Sequence, residues 1–181
     1  MEKWNKSWTL FLDRDGVINQ RIPGAYIEHS SQFKFTENCL AAMAIFNKIF
    51  NRIVVVTNQQ GIGKGIMNES QLADIHQFME TEVEKAEGKI DNVYHCPELA
   101  KNNSQCRKPN TGMAFQAKKD FPEIEFSKSV MVGDSLSDME FGKRLNMKTV
   151  LIEGKNEESF DKKLIDYQFI TLFEFARSIQ G

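Results

Sequence analysis

Four short apolar runs, rich in β-branched residues, punctuate this chain: Thr9 to Leu12, Ile53 to Val56, Val130 to Val132 and Thr149 to Ile152. None alternates with polar residues. Successive side chains of a strand point to opposite faces, so a strand with one wet face must alternate. Unbroken runs of this length describe strands buried on both faces, the condition of a parallel sheet covered by helices. Helical patterns lie between them. Glu37 to Phe50 carries Leu40, Met43, Ala44, Ile45 and Ile49 at near-helical spacing, and Glu69 to Glu87 carries Leu72, Ile75, Phe78, Met79 and Val83. Thr111 to Lys119 and Leu136 to Leu145 are shorter candidates. Near the end, "DYQFI" reads as a short strand, and Thr171 with Glu174 forms a T-x-x-E capping box for a last helix, "LFEFARSI". Strands alternating with helices predict a doubly wound α/β fold with a parallel sheet.

The strand ends carry the chemistry. The first run stops at Asp13, the second at Thr57 and Asn58, the third at Gly133 and Asp134. In an open parallel sheet the C-terminal strand ends share one edge, and ligands bind there, where the strand order reverses. Polar residues from three distant segments should therefore meet at one site.

In "WTLFLDRDGVIN" two carboxylates, Asp13 and Asp15, stand two residues apart and so face the same side of an extended chain. Two such acids raise one another's pKa unless a cation lies between them. Mg²⁺ suits the pair because it prefers hard oxygen ligands and keeps several waters. Asp134 can supply a third carboxylate. Gly16 lets the backbone turn sharply after the pair. A carboxylate beside such a cation can attack a phosphoryl group, and its neighbour can protonate the leaving oxygen and later activate water.

The chain has 181 residues, which suits one domain spanning 1–181, and a formal net charge of −2. No basic field is available for nucleic acid or an anionic membrane, so a bound anion needs a local cluster. Three cysteines, Cys39, Cys96 and Cys106, and an N-terminus without a signal-peptide pattern point to a reducing compartment, with the cytoplasm as the default.

"DRDGVIN" resembles the D-x-D-G-[TV] signature of haloacid dehalogenase superfamily phosphatases. Three further family motifs appear in order: Thr57 in "VVVTNQQGI", Lys108 in "CRKPNTGM", and Asp134 with Asp138 in "MVGDSLSD". The resemblance implies a Rossmann-like core. It implies Asp13 as nucleophile and Mg²⁺ ligand, and Asp15 as general acid/base whose backbone carbonyl also reaches the metal. Thr57 would bind the phosphoryl oxygens and Lys108 would neutralise them. Asp134 would bind Mg²⁺, with Asp138 behind it. Ser135 and Asp138 also form an S-x-x-D helix cap, a role compatible with the other.

"GAYI", "HCPE" and "CRKPNTGM" narrow the resemblance to the heptose bisphosphate and histidinol-phosphate phosphatases. Only about twenty residues separate Gly16 from the first helix, so no separate cap domain is expected. Asn58, Gln59 and Arg107 lie where substrate contacts are expected, and Arg107 beside Lys108 forms a cationic pair suited to a phosphate. The expected partner is a small phosphorylated metabolite, first a heptose 1,7-bisphosphate losing its 7-phosphate, with histidinol phosphate as the alternative. The group often carries a zinc loop of pattern C-x-H…C-x-C. Here Glu98 and Ser104 replace two of the four ligands, so no structural zinc is expected and Cys96 and Cys106 read as packed free thiols. "GIGKG" fails the phosphate-loop pattern and reads as a turn at the entrance. His76 reads as a surface or boundary residue. From another class, a phosphoreceiver domain shares the fold and an acidic Mg²⁺ site, but its phosphorylated aspartate lies on a different strand from its acidic pair.

Overall fold

The computed structural model describes residues 3–153 and 161–180. Six strands form one parallel sheet: β1 (Thr9–Leu12), β2 (Arg52–Asn58), β3 (Asn92–Cys96), β4 (Ser129–Gly133), β5 (Lys148–Ile152) and β6 (Tyr167–Phe169). Among the described residues five α-helices accompany them: α1 (Cys39–Ile49), α2 (Glu69–Lys85), α3 (Gly112–Asp120), α4 (Leu136–Arg144) and α5 (Leu172–Ile179). The doubly wound α/β expectation holds, and the four apolar runs are the four inner strands.

The strand order β3-β2-β1-β4-β5-β6 reverses between β1 and β4. Both faces of these inner strands are buried. Leu10, Leu12, Ile53, Val55, Val130 and Val132 join a core cluster that includes residues of α1, α2 and α5. The intervening Phe11, Val54, Val56 and Met131 join the other cluster with Met113, Ala114 and Ala117 of α3 and Phe141 of α4. That division is why no polar residue interrupts these runs: each fully buried large apolar side chain contributes about 1.5–3 kcal/mol, on whichever face it lies.

β3 was not legible as a strand. Its sequence, Asn-Val-Tyr-His-Cys, is mostly half-buried because it lies at the sheet edge and pairs only with β2. Helix ends follow local chemistry. Asn68 and Gln71 cap α2 reciprocally: Asn68 Oδ1 accepts from Gln71 N at 2.9 Å, and Gln71 Oε1 accepts from Asn68 N at 3.0 Å. At α5, Thr171 Oγ1 accepts from Glu174 N as expected, while the Glu174 carboxylate accepts from Ile170 N. No helix among the described residues is long and apolar enough to cross a membrane.

Candidate active site

β1 and β4 are neighbours in register, with Leu12 opposite Val132, so the residues that follow them emerge side by side. Asp13 N donates to Val132 O at 2.9 Å, continuing the pairing one step beyond the strand. Asp13, Asp134 and Asp138 are all buried, and one carboxylate oxygen from each lies within 4.8 Å of the others. Three close buried carboxylates would be costly without cations among them. Two cationic side chains meet that need.

Lys108 is the inner one. Its buried Nζ donates to Asp13 Oδ1 at 2.8 Å and to Asp138 Oδ1 at 2.6 Å. The other Asp138 oxygen accepts from Ser135 N at 3.1 Å and Ser135 Oγ at 2.6 Å. Asp138 thus caps α4 and anchors Lys108 at once. Burial lowers the Lys108 pKa, but Asp13 and Asp138 outweigh it and raise the value. Asp13 is pushed up to about 7 by burial, against the pull of Lys108.

Arg21 is the outer one, and sequence reasoning missed it. Its Nε donates to Asp15 O at 3.0 Å and Asp134 Oδ2 at 2.8 Å, and its Nη2 donates to Asp134 Oδ1 at 2.5 Å and lies 3.9 Å from Asp13 Oδ2. Burial lifts the Asp134 pKa to about 6 although Arg21 opposes it. Gly16 has φ +95° and sits against this pair; a Cβ there would stand 1.9 Å from Asp134 Oδ2. Both facts demand glycine.

Asp15 occupies different surroundings. Its carboxylate accepts from Arg14 Nη2 at 3.0 and 3.1 Å, Asn19 Nδ2 at 2.9 Å and Gln59 Nε2 at 2.7 Å. Burial alone would raise its pKa, but the Arg14 charge and these hydrogen bonds bring it below the ordinary value. The two acids of one motif are thus driven apart, Asp13 upward and Asp15 downward, the pattern expected where paired carboxyl groups have different duties.

The remaining expected residues sit as follows. Thr57 is buried at the end of β2, and its Oγ1 accepts from Gln59 Nε2 at 2.9 Å. Asn58 clasps the backbone of Lys108, donating to its carbonyl at 3.2 Å and accepting from its N–H at 3.0 Å. Gln59 is buried, with its amide on Asp15 and Thr57. The amides of Asn58 and Gln59 therefore make internal contacts rather than standing free. Arg107 is partly buried, which lowers its pKa, and its Nη1 donates to Glu98 O at 3.3 Å.

Two expectations need correction. Cys96 and Cys106 are not separate thiols but form a disulfide, with Cα atoms 5.4 Å apart; the end of β3 and the segment before Lys108 converge, which ten residues of sequence separation did not reveal. His76 is not a surface residue. It is buried on the inner stripe of α2 with Leu72, Ile75, Met79 and Val83, and its Nε2 lies 3.2 Å from Arg14 Nη1. Arg14 itself is 1% exposed. The stripe was readable from spacing; the buried arginine that makes room for a polar group on it was not. In "GIGKG", Gly63 N donates to Pro97 O at 3.1 Å, so the turn is docked on the chain after β3.

A family model described as HAD-hydrolase-like matches residues 105–167. A curated relative from Campylobacter jejuni, D-glycero-alpha-D-manno-heptose-1,7-bisphosphate 7-phosphatase, is 35% identical over 93% of this chain and 96% of its own. One from Haemophilus influenzae, D-glycero-beta-D-manno-heptose-1,7-bisphosphate 7-phosphatase, is 30% identical over 94% of this chain and 96% of its own. Among solved structures, the D,D-heptose 1,7-bisphosphate phosphatase of B. bronchiseptica, complexed with magnesium and phosphate, has the same fold: TM-score 0.84, 23% identity, 95% of this chain and 97% of that one. With its acidic cluster at the β1–β4 switch point and these relatives over almost its whole length, the chain belongs to the haloacid dehalogenase-like phosphatases.

Proposed function

We propose that this phosphatase removes the 7-phosphate of D-glycero-D-manno-heptose 1,7-bisphosphate through an aspartyl-phosphate on Asp13, with Mg²⁺ as cofactor. The observation that carries the mechanism is the contrast between Asp13, beside Lys108 in the buried cluster, and Asp15, outside that cluster on Arg14, Asn19 and Gln59. The names of the curated relatives support the substrate.

The donor set fits the metal. The Asp13 and Asp134 carboxylates and the Asp15 carbonyl are hard oxygens, and Arg21 already places a cation among the three. These groups would hold Mg²⁺, with Asp138 behind them through Lys108. Bound there, the ion would neutralise charge on the transferring phosphoryl group.

In the first half-reaction an Asp13 oxygen attacks phosphorus. The bond from phosphorus to the sugar oxygen breaks, and the Asp15 carboxylic acid gives that oxygen its proton. In the second, Asp15 as carboxylate takes a proton from water while the water oxygen attacks phosphorus. The bond to Asp13 breaks, inorganic phosphate leaves, and Asp15 is protonated again. The depressed pKa of Asp15 favours the carboxylate of the second half. An approaching phosphoryl dianion raises its proton affinity and favours the acid of the first. Lys108 and Thr57 serve the phosphoryl oxygens. Arg107 serves the remainder of the substrate, and a bisphosphate offers it a second anion. Catalysis proceeds without a separate cap: between β1 and α1 the only regular helical element is a single 3-10 turn, Ser30–Gln32.

The test is kcat/KM with Mg²⁺ across heptose 1,7-bisphosphates, histidinol phosphate and simple hexose phosphates. A preference for histidinol phosphate would overturn the substrate assignment.

A further inference from the structure

Asp15 is held from behind by Arg14, and Arg14 in turn by a second buried side chain, His76, that the mechanism above does not use. Arg14 reaches both oxygens of Asp15 through Nη2, at 3.0 and 3.1 Å, and turns Nη1 to His76 Nε2 at 3.2 Å. Arginine can only donate, so His76 Nε2 must accept and the ring carries its proton on Nδ1. Burial, with Arg14 and His95 nearby, holds the imidazole pKa down at about 3, so the ring stays neutral.

The choice of a neutral acceptor matters. A carboxylate at position 76 would pair with Arg14 and compete for its charge. An apolar residue would leave the buried Nη1 without an acceptor and the guanidinium held on this side only through Nη2. Histidine fixes the guanidinium while leaving its charge to Asp15. The helix that supplies it is itself fixed by the Asn68–Gln71 cap and by the buried stripe of α2.

We propose that His76 is a positioning residue for phosphoryl transfer: through Arg14 it sets the plane of the Asp15 carboxylate toward the leaving oxygen. This rests on the reading of Asp15 as general acid and base. An acid that must meet a leaving oxygen within hydrogen-bond reach tolerates little rotation, and misplacement by about 1 Å costs on the order of 100-fold.

The experiment compares His76→Gln and His76→Leu with wild type and Asp15→Asn, all with Mg²⁺, on two substrates. One is heptose 1,7-bisphosphate, whose alkoxide leaving group needs a proton. The other is p-nitrophenyl phosphate, whose phenolate leaves without one. kcat/KM reports the chemistry up to phosphoenzyme formation. His76→Leu should lower it roughly 10- to 100-fold for the sugar phosphate and less than about 3-fold for the aryl phosphate. His76→Gln, which restores an acceptor near the Nε2 position, should return the sugar phosphate to within about 3-fold of wild type. Equal losses on both substrates, no rescue by glutamine, or full activity of His76→Leu would each overturn the proposal. Melting curves check folding, and His76→Met replaces the leucine variant if that variant does not fold. Asp15→Asn separates the two layers of argument: if it keeps wild-type kcat/KM on the sugar phosphate, the reading of Asp15 is wrong and the role of His76 falls with it.

Discussion

Arg21 grips Asp134 through both carboxylate oxygens, at 2.8 and 2.5 Å, while also touching the Asp15 carbonyl. These are the groups proposed to hold Mg²⁺, so ion and guanidinium exclude one another. Arg21→Gln should therefore bind Mg²⁺ more tightly by about 10-fold, a modest gain because the arginine side chain is 45% exposed and its pairing is screened. Without metal the same variant should melt earlier than wild type, since the acidic cluster loses a counter-ion. Calorimetric titration and melting curves with and without Mg²⁺ read both effects. Unchanged affinity would mean that Arg21 leaves the cluster at no cost.

Asp13→Asn should abolish turnover and leave the fold intact, because an amide cannot attack phosphorus. Lys108→Met is expected to behave differently. It removes the cation shared by two buried carboxylates, so it should lower both activity and melting temperature, the latter by the several degrees that a loss of 1–3 kcal/mol brings at this size. Turnover by Asp13→Asn near the wild-type rate, measured as phosphate release, is the result that sinks the nucleophile assignment.

The Arg107 guanidinium stands beside Lys108 and donates to the Glu98 carbonyl at 3.3 Å. Arg107→Ala should reduce kcat/KM for the bisphosphate by roughly 10- to 100-fold, the scale of one charge-assisted hydrogen bond, and affect a small monophosphate far less. Equal losses on both would place Arg107 on the transferred phosphoryl group instead.

His76 also predicts a pH dependence of stability. The group is faced by Arg14 and Asp15 from the chain after β1 and by His95 of β3, and its pKa falls from 6.5 to about 3 on folding. The unfolded chain therefore binds the proton first. The contribution of His76 is complete above about pH 6.5 and declines as pH falls toward 3, by up to about 1.4 kcal/mol per unit. Asp13 and Asp134, raised by burial, act in the opposite direction over much of the same range. The measurement is thus the difference in melting temperature between wild type and His76→Gln, in saturating Mg²⁺, from pH 7 to 4. The difference should shift toward the variant as pH falls. A constant difference would show that His76 takes up no extra proton on unfolding.

The sequence by itself determined the sheet, the helices and the place of the chemistry. A strand buried on both faces takes polar residues only where they find hydrogen-bond partners, as Ser129 and Thr149 do, so the four inner strands stood out as apolar runs and the acids fell where those strands end. Asp13, Asp15 and Asp134 stood out for that reason, Lys108 only through the resemblance of "CRKPNTGM" to a family motif, since it lies in the loop before α3, and the capping motifs of α4 and α5 because their bonds are local. Tertiary structure alone decided the rest. β3 is an edge strand, where half-burial permits polar residues and erases the pattern. Arg14 and Arg21 look like ordinary surface arginines in a polar stretch; one is buried because His76 arrives from α2, and the other meets Asp134 because β1 and β4 are neighbours. The Cys96–Cys106 bond likewise depends on where β3 ends in space. Each of these is a contact between segments far apart or turned by a loop, and no periodicity in one segment records what the other brings to it.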